Sequence, residues 1–192
     1  SAAVCQEDNI TEAITAGIKQ FKKIEINLNC AVIALAEKTL GKDGPHDLTR
    51  FKKIIDVNLI GTFNILRLCA EQMAKNPTDN NQEKGIIINT ASVAALEGQK
   101  GQVAYAASKG GVAAMTLPIA RDLARDYIRC GCIAPGLFLT PMFEGLGEEV
   151  CETLAKDVIF PKRLGNPEEF AQYAVQIVEN QYINGSVLRL DG

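Results

Sequence analysis

The chain has 192 residues, enough for one domain with a sizeable buried core. Its formal net charge is −3 at pH 7 and its six-residue cysteine complement forms no Cys-x-x-Cys pair. The two Lys-Lys pairs, at 22–23 and 52–53, are too short for a nucleic-acid groove and read as solvated charge. With a single histidine, His46, no metal site is expected.

The opening residues, SAAVCQEDNITEA, lack an initiator Met and carry neither a secretory signal nor an Arg-rich transit peptide. A processed chain or a fragment is expected from that start. No run reaches the ~18 apolar residues of a membrane span. Residues 13–21 read as the end of a helix, and the β-branched run 24–33 as a strand. A polar Gly/Pro loop follows at 40–47. From Leu48 to Met73, Phe51, Ile54, Ile55, Leu59, Phe63 and Leu66 recur at helical spacing. After a loop at 76–85, Gly85–Ser92 is a short, continuously apolar strand of the kind covered on both faces of a sheet. A second long helix is expected from Tyr105 to Arg125, bent or broken at Pro118.

Ile128–Gly136 is the next strand, with Cys130 and Cys132 two apart and therefore on one face as buried thiols. Pro167–Glu179 reads as a helix with proline at its start, and 185–192 as a final strand. The Asn9 and Asn184 glycosylation patterns are chance matches in a chain without a secretory signal. Alternating strands and helices imply βαβ units: an α/β, Rossmann-like parallel sheet with helices on both faces, in one domain over 1–192. Ligands in such sheets lie beyond the carboxyl ends of the strands. Ser92, the Pro135-Gly136 turn and Asn29 all fall at such ends.

Tyr105 and Lys109 are four residues apart and share a helix face. A free tyrosine, with a pKa near ~10, is a poor base at neutral pH. A neighbouring ammonium is expected to lower that value and let the phenol exchange a proton with an alcohol or carbonyl. Ser92, thirteen residues upstream of Tyr105, can donate a hydrogen bond to the same oxygen. This kit suits carbonyl reduction and alcohol oxidation with a nicotinamide carrying the hydride.

On these residues the sequence resembles the short-chain dehydrogenase/reductase family, over essentially its whole length. Ser92, Tyr105 and Lys109 match the family's triad, and Asn58, in DVNLIGTF, its fourth member, which kinks a helix and holds a water in a proton relay to the lysine. NCAV at 29–32 looks like the family's Asn-Asn-Ala-Gly turn, and APGLFLTP at 134–141 like its nicotinamide-covering segment. The resemblance implies an NAD-dependent oxidoreductase, with Val4, Cys30, Tyr105, Lys109, Phe138 and Thr140 toward the cofactor and Ser92 toward the substrate. It is nearest a mitochondrial branch acting on 3-hydroxyacyl-CoA thioesters and hydroxysteroids. That branch implies a homodimer or homotetramer, lipid and steroid substrates, and a tRNA methyltransferase as protein partner.

Two departures accompany the match. The family's opening strand, glycine-rich turn and helix, which receive the pyrophosphate, are not among these residues; Gly145-Leu-Gly147 follows no strand and does not replace them. Aligned by its later motifs, the chain enters the pattern near the end of the third strand, as an N-terminally truncated member. Val32 also stands where the turn has glycine, a poor fit if the backbone there needs a positive φ. Both set the expectation that these residues bind NAD weakly, with a non-catalytic member that keeps fold and oligomer surface as the rival to the enzyme. Strand 24–33 is then expected to be an unpaired edge, and the small residues Ala106, Ala107, Gly110, Gly111, Ala113 and Ala114 a subunit contact. Residues 143–163 are expected to form a substrate lid.

Overall fold

A computed structural model describes residues 3–141 and 147–192. Its sheet has four parallel strands in the order β1-β2-β3-β4: β1 (Ile26–Asn29), β2 (Gly85–Thr90), β3 (Ile128–Pro135) and β4 (Val187–Leu190). The interior strands β2 and β3 are buried along nearly their whole length, which is why they read as uninterrupted apolar runs. At the free edge, β1 is shorter than its apolar sequence suggests, and Ile26 and Leu28 stay 53% and 42% exposed.

Alternation along the strands sends their side chains into two cores. Ile87, Ile128 and Cys130 meet Leu66, Cys69, Ala70, Met73, Ile119 and Ala120 on one face. Ile86, Ile88 and Ile133 meet Ala174 and Ile177 on the other. The first group of helices comprises α1 (Glu7–Phe21), the α2–α3 pair (Leu48–Ile55 and Gly61–Met73) and α5 (Val103–Asp122). Between them in sequence lies the four-residue α4 (Ala94–Glu97), and later come α6 (Glu148–Ala155) and α7 (Pro167–Glu179). α7 covers the second face. Fully burying one Ile side chain is worth about 1.5–3 kcal/mol, so the five isoleucines of β2 and β3, all at most 2% exposed, anchor the fold.

Local chemistry sets the helix ends. The Asp47 carboxylate accepts from Thr49 N at 2.7 Å and caps α2. Asn166 and Glu169 form a reciprocal capping box at α7, where Pro167 needs no donor. Of the two outcomes expected at Pro118, a bend or a break, the break does not occur: α5 runs through it, with Ala114 and Pro118 both facing solvent, where water can serve the carbonyl left without a donor. The long helix does deviate at Asp56–Ile60, which form one π-helical turn joining α2 to α3.

Candidate functional site

The π turn holds Asn58, which is fully buried. Its side-chain oxygen accepts from Ile33 N at 2.9 Å, while its amide donates to Ile33 O at 2.9 Å and Ser108 Oγ at 3.1 Å. Ser108 Oγ donates in turn to Tyr105 O at 2.7 Å. One asparagine thus ties the segment after β1 to the turn of α5 that carries Tyr105 and Lys109. Gly111 lets the π turn approach this closely: a Cβ there would lie 2.7 Å from Leu59 Cδ2. The small size of Gly111 therefore serves packing within the chain.

Ser92 follows β2, whose hydrogen bonding to β3 continues beyond the strand through Ala91 N to Ile133 O and Val93 N to Pro135 O. Its hydroxyl accepts from Ala94 N at 3.1 Å and is near enough to the Tyr105 phenol to favour the phenolate. Tyr105 and Lys109 share one face of α5, with the Lys109 ammonium 5.9 Å from the Tyr105 ring centre. Lys109 is 3% exposed and donates to Thr90 O at 2.6 Å.

The electrostatics differ from the expectation at Tyr105. Burial pushes the phenol above its ordinary value, and the Ser92 hydroxyl opposes this only in part. Lys109 carries the larger response: burial draws its ammonium down to about 8, against smaller raising effects from Cys132 and Cys30. The phenol at rest is therefore a proton donor, and the ammonium is held near its titration at neutral pH. Cys130 and Cys132 lie buried on one face of β3, as their spacing predicts, and burial pushes the Cys130 thiol up to about 12.

The cofactor candidates separate into two groups. Cys30, exposed at the end of β1 with Sγ 3.7 Å from Thr90 Oγ1, lies beside Lys109. Thr140 is half-buried beyond the Pro135-Gly136 turn. Phe138, in contrast, packs inward: its ring meets Phe170 edge-on at 6.2 Å and occupies the space over Gly165. Val4 packs on Gly61 at the start of α3, and its carbonyl accepts from Asn64 Nδ2 at 3.1 Å. Among the described residues the non-glycines at positive φ are Lys22, Gln82 and Tyr127, so Val32 carries no backbone strain in its turn. Residues 142–146, which include the start of the expected lid and Gly145, lie outside the described residues.

A nicotinamide nucleotide is the group this donor set suits. The Lys109 ammonium has three hydrogens, of which Thr90 O takes one; the others can serve ribose hydroxyls. The residues thus fit the nicotinamide-ribose end.

Sequence reasoning missed Ser108 and the Thr90 carbonyl. The first was discoverable, since a serine between Tyr105 and Lys109 on a buried helix face needs a partner. The second is a backbone atom and leaves no compositional trace.

Residues 1–192 match the family model described as Enoyl-(Acyl carrier protein) reductase. The chain is 51% identical over 193 residues to 3-hydroxyacyl-CoA dehydrogenase type-2 of Homo sapiens, covering 100% of this chain and 74% of that protein. The Drosophila melanogaster protein of the same name is 46% identical over 98% of this chain and 75% of its own length. The crystal structure of 3-hydroxyacyl-CoA dehydrogenase type-2 from Mycobacterium avium superposes with a TM-score of 0.93 at 43% identity, over 98% of this chain and 74% of that one. With its parallel sheet, its buried lysine and these relatives, the chain is an oxidoreductase that belongs to the short-chain dehydrogenase/reductase family.

Proposed function

We propose that the chain interconverts a secondary alcohol and its ketone with NAD, on 3-hydroxyacyl-CoA thioesters or hydroxysteroids. The observation that carries this is the grouping of Ser92, Tyr105 and buried Lys109 at the carboxyl ends of β1–β3. The nicotinamide, when bound, donates or accepts the hydride. Tyr105 exchanges the proton at the substrate oxygen. Ser92 donates a hydrogen bond to that oxygen as charge develops there. Lys109 holds the ribose and stabilises the phenolate electrostatically, and Asn58 fixes the helix that carries both. The rival non-catalytic reading loses ground because Asn58 is joined through Ser108 to the turn of α5 that carries Tyr105 and Lys109, and because the relatives above are named as dehydrogenases.

The substrate class is supported by the 51% identity to a protein named for 3-hydroxyacyl-CoA. Turnover at millimolar NAD with a 3-hydroxyacyl thioester, followed as NADH absorbance, tests it. Tyr105→Phe should abolish turnover while sparing NADH binding; retained activity would remove Tyr105 from its role.

An oligomer is part of the same proposal. Val103 and Leu117 of α5, with Ile60 of the π turn and Phe63 of α3, are 42–50% exposed and apolar. A second copy meeting this strip accounts for them, and Leu117→Asp should then lower the mass seen by sedimentation. The resemblance further implies a mitochondrial setting, which subcellular fractionation tests. Among the described residues no helix is long and apolar enough to cross a membrane.

A further inference from the structure

We infer that Glu97 and Arg189 are positioning residues that hold the Ser92 hydroxyl against Tyr105; the inference rests on the function proposed above. Ser92 leads directly into α4, a helix of only four residues. One turn is not stable by itself, because nucleation fixes several residues for a single hydrogen bond. Its apolar side rests on α5, through buried Ala94 and through Gly98 against Ala106, and two polar contacts fix its ends. At its start the Ser92 hydroxyl accepts from Ala94 N. At its end the Glu97 carboxylate is gripped by both terminal nitrogens of Arg189, Nη2 to Oε2 at 3.0 Å and Nη1 to Oε1 closer still.

Arg189 is a rigid post for this grip. It lies on β4 in register with Ala134 of β3. Its Nε donates to Asp191 Oδ2 at 2.6 Å, which fixes the plane of the guanidinium. Asp191 in turn sits over Gly136, where an added Cβ would approach it to 2.5 Å. Arg189 therefore ties the Ser92 segment to the β4 end beside the Pro135-Gly136 turn. The pairing holds the Glu97 carboxyl below, and the Arg189 guanidinium above, their ordinary ranges.

Both side chains are about half exposed. A surface ion pair of that kind contributes little to global stability. Its effect is local: without it α4 frays, Ala94 N releases the Ser92 hydroxyl, and that hydroxyl swings away from Tyr105.

The variants are Glu97→Gln and Arg189→Met, with Arg189→Lys as the conservative test. Three readouts are taken on the folded chain. Amide exchange of residues 93–98 should accelerate about tenfold in both, with exchange in β2 and β3 unchanged. Titration of 13Cζ-tyrosine, with the Tyr105 signal assigned from Tyr105→Phe, should move upward, because the Ser92 contact that lowers it is lost. The kcat should fall about tenfold with KM unchanged, short of the ~10²–10³ that follows outright loss of such a donor. Arg189→Lys, which keeps the charge but not the two-pronged geometry, should recover part of each effect. Unchanged Tyr105 titration or unchanged exchange overturns the inference. Should the unmodified chain show no turnover, the functional proposal fails, while exchange and tyrosine titration still decide this one.

Discussion

Replacing Lys109 with Met should change how stability depends on pH. Lys109 is 3% exposed, and burial draws its ammonium from an ordinary 10.5 to about 8. Below that lower value the folded and unfolded chains are both protonated, and the folded chain bears the full cost of a buried charge. At ~1.36 kcal/mol per pH unit the cost is about 3 kcal/mol at neutral pH. As pH rises from about 8 toward 10.5 the folded chain loses the proton first, so the cost is progressively relieved and stability increases. The Lys109→Met chain has no such group. Between about pH 7 and about pH 9.5 the original chain should therefore gain about 2 kcal/mol relative to the variant. Urea unfolding of both chains across that range measures the difference directly, and other titrating groups cancel in it. A gap that stays constant with pH would mean that the ammonium is not held in a desolvated site, and the geometry argued for Lys109 would be wrong.

Three further outcomes follow from the same site. Gly136→Ala puts a Cβ 2.5 Å from Asp191 Cβ and 3.1 Å from its Cα; these atoms cannot rotate away, so stability should drop by about 2 kcal/mol in urea unfolding, and an unchanged midpoint would contradict the packing. Asn58→Ala leaves the Ile33 amide and carbonyl without their partner and should cost about 3 kcal/mol, with faster amide exchange through 56–60; thermal melts at parity would refute it. Because burial holds the Tyr105 phenol above its ordinary value, kcat/KM for alcohol oxidation should rise with pH through the neutral range without levelling by about pH 9. A plateau lower than that would assign the base to another group.

Much of this was legible in residue order. Continuous apolar runs and the period-3.6 pattern placed the strands and long helices, since burial on both faces of a parallel sheet enforces runs such as Ile86–Ile88. Ser92, Tyr105 and Lys109 were legible because their spacing fits a strand end and one helix face. Three things were not. The π turn at Asp56–Ile60 depends on Asn58 bonding the backbone of Ile33, a partner 25 residues away. The direction of the Tyr105 shift depends on how far burial outweighs the charge of Lys109, and spacing carries no measure of burial. The inward turn of Phe138 depends on Gly165 leaving room for its ring, a contact made only once β3 and the start of α7 are brought together.

Three side chains of the site share a physical predicament. Lys109 is buried at a net cost, Asn58 has a buried polar side chain whose bonds all cross between segments, and Ser92 leads into a helix too short to stand alone. Each element is locally unfavourable and is held by something distant: the cores around Ile87 and Ile133, the Ile33 backbone, and the Arg189 grip on Glu97. A phenol kept protonated by burial and an ammonium poised near neutrality require low dielectric and fixed geometry together. Local sequence preference cannot supply both at a strand end open to ligand. The stability has to be imported from the sheet, which is why residues far from Tyr105 in sequence determine what its hydroxyl can do.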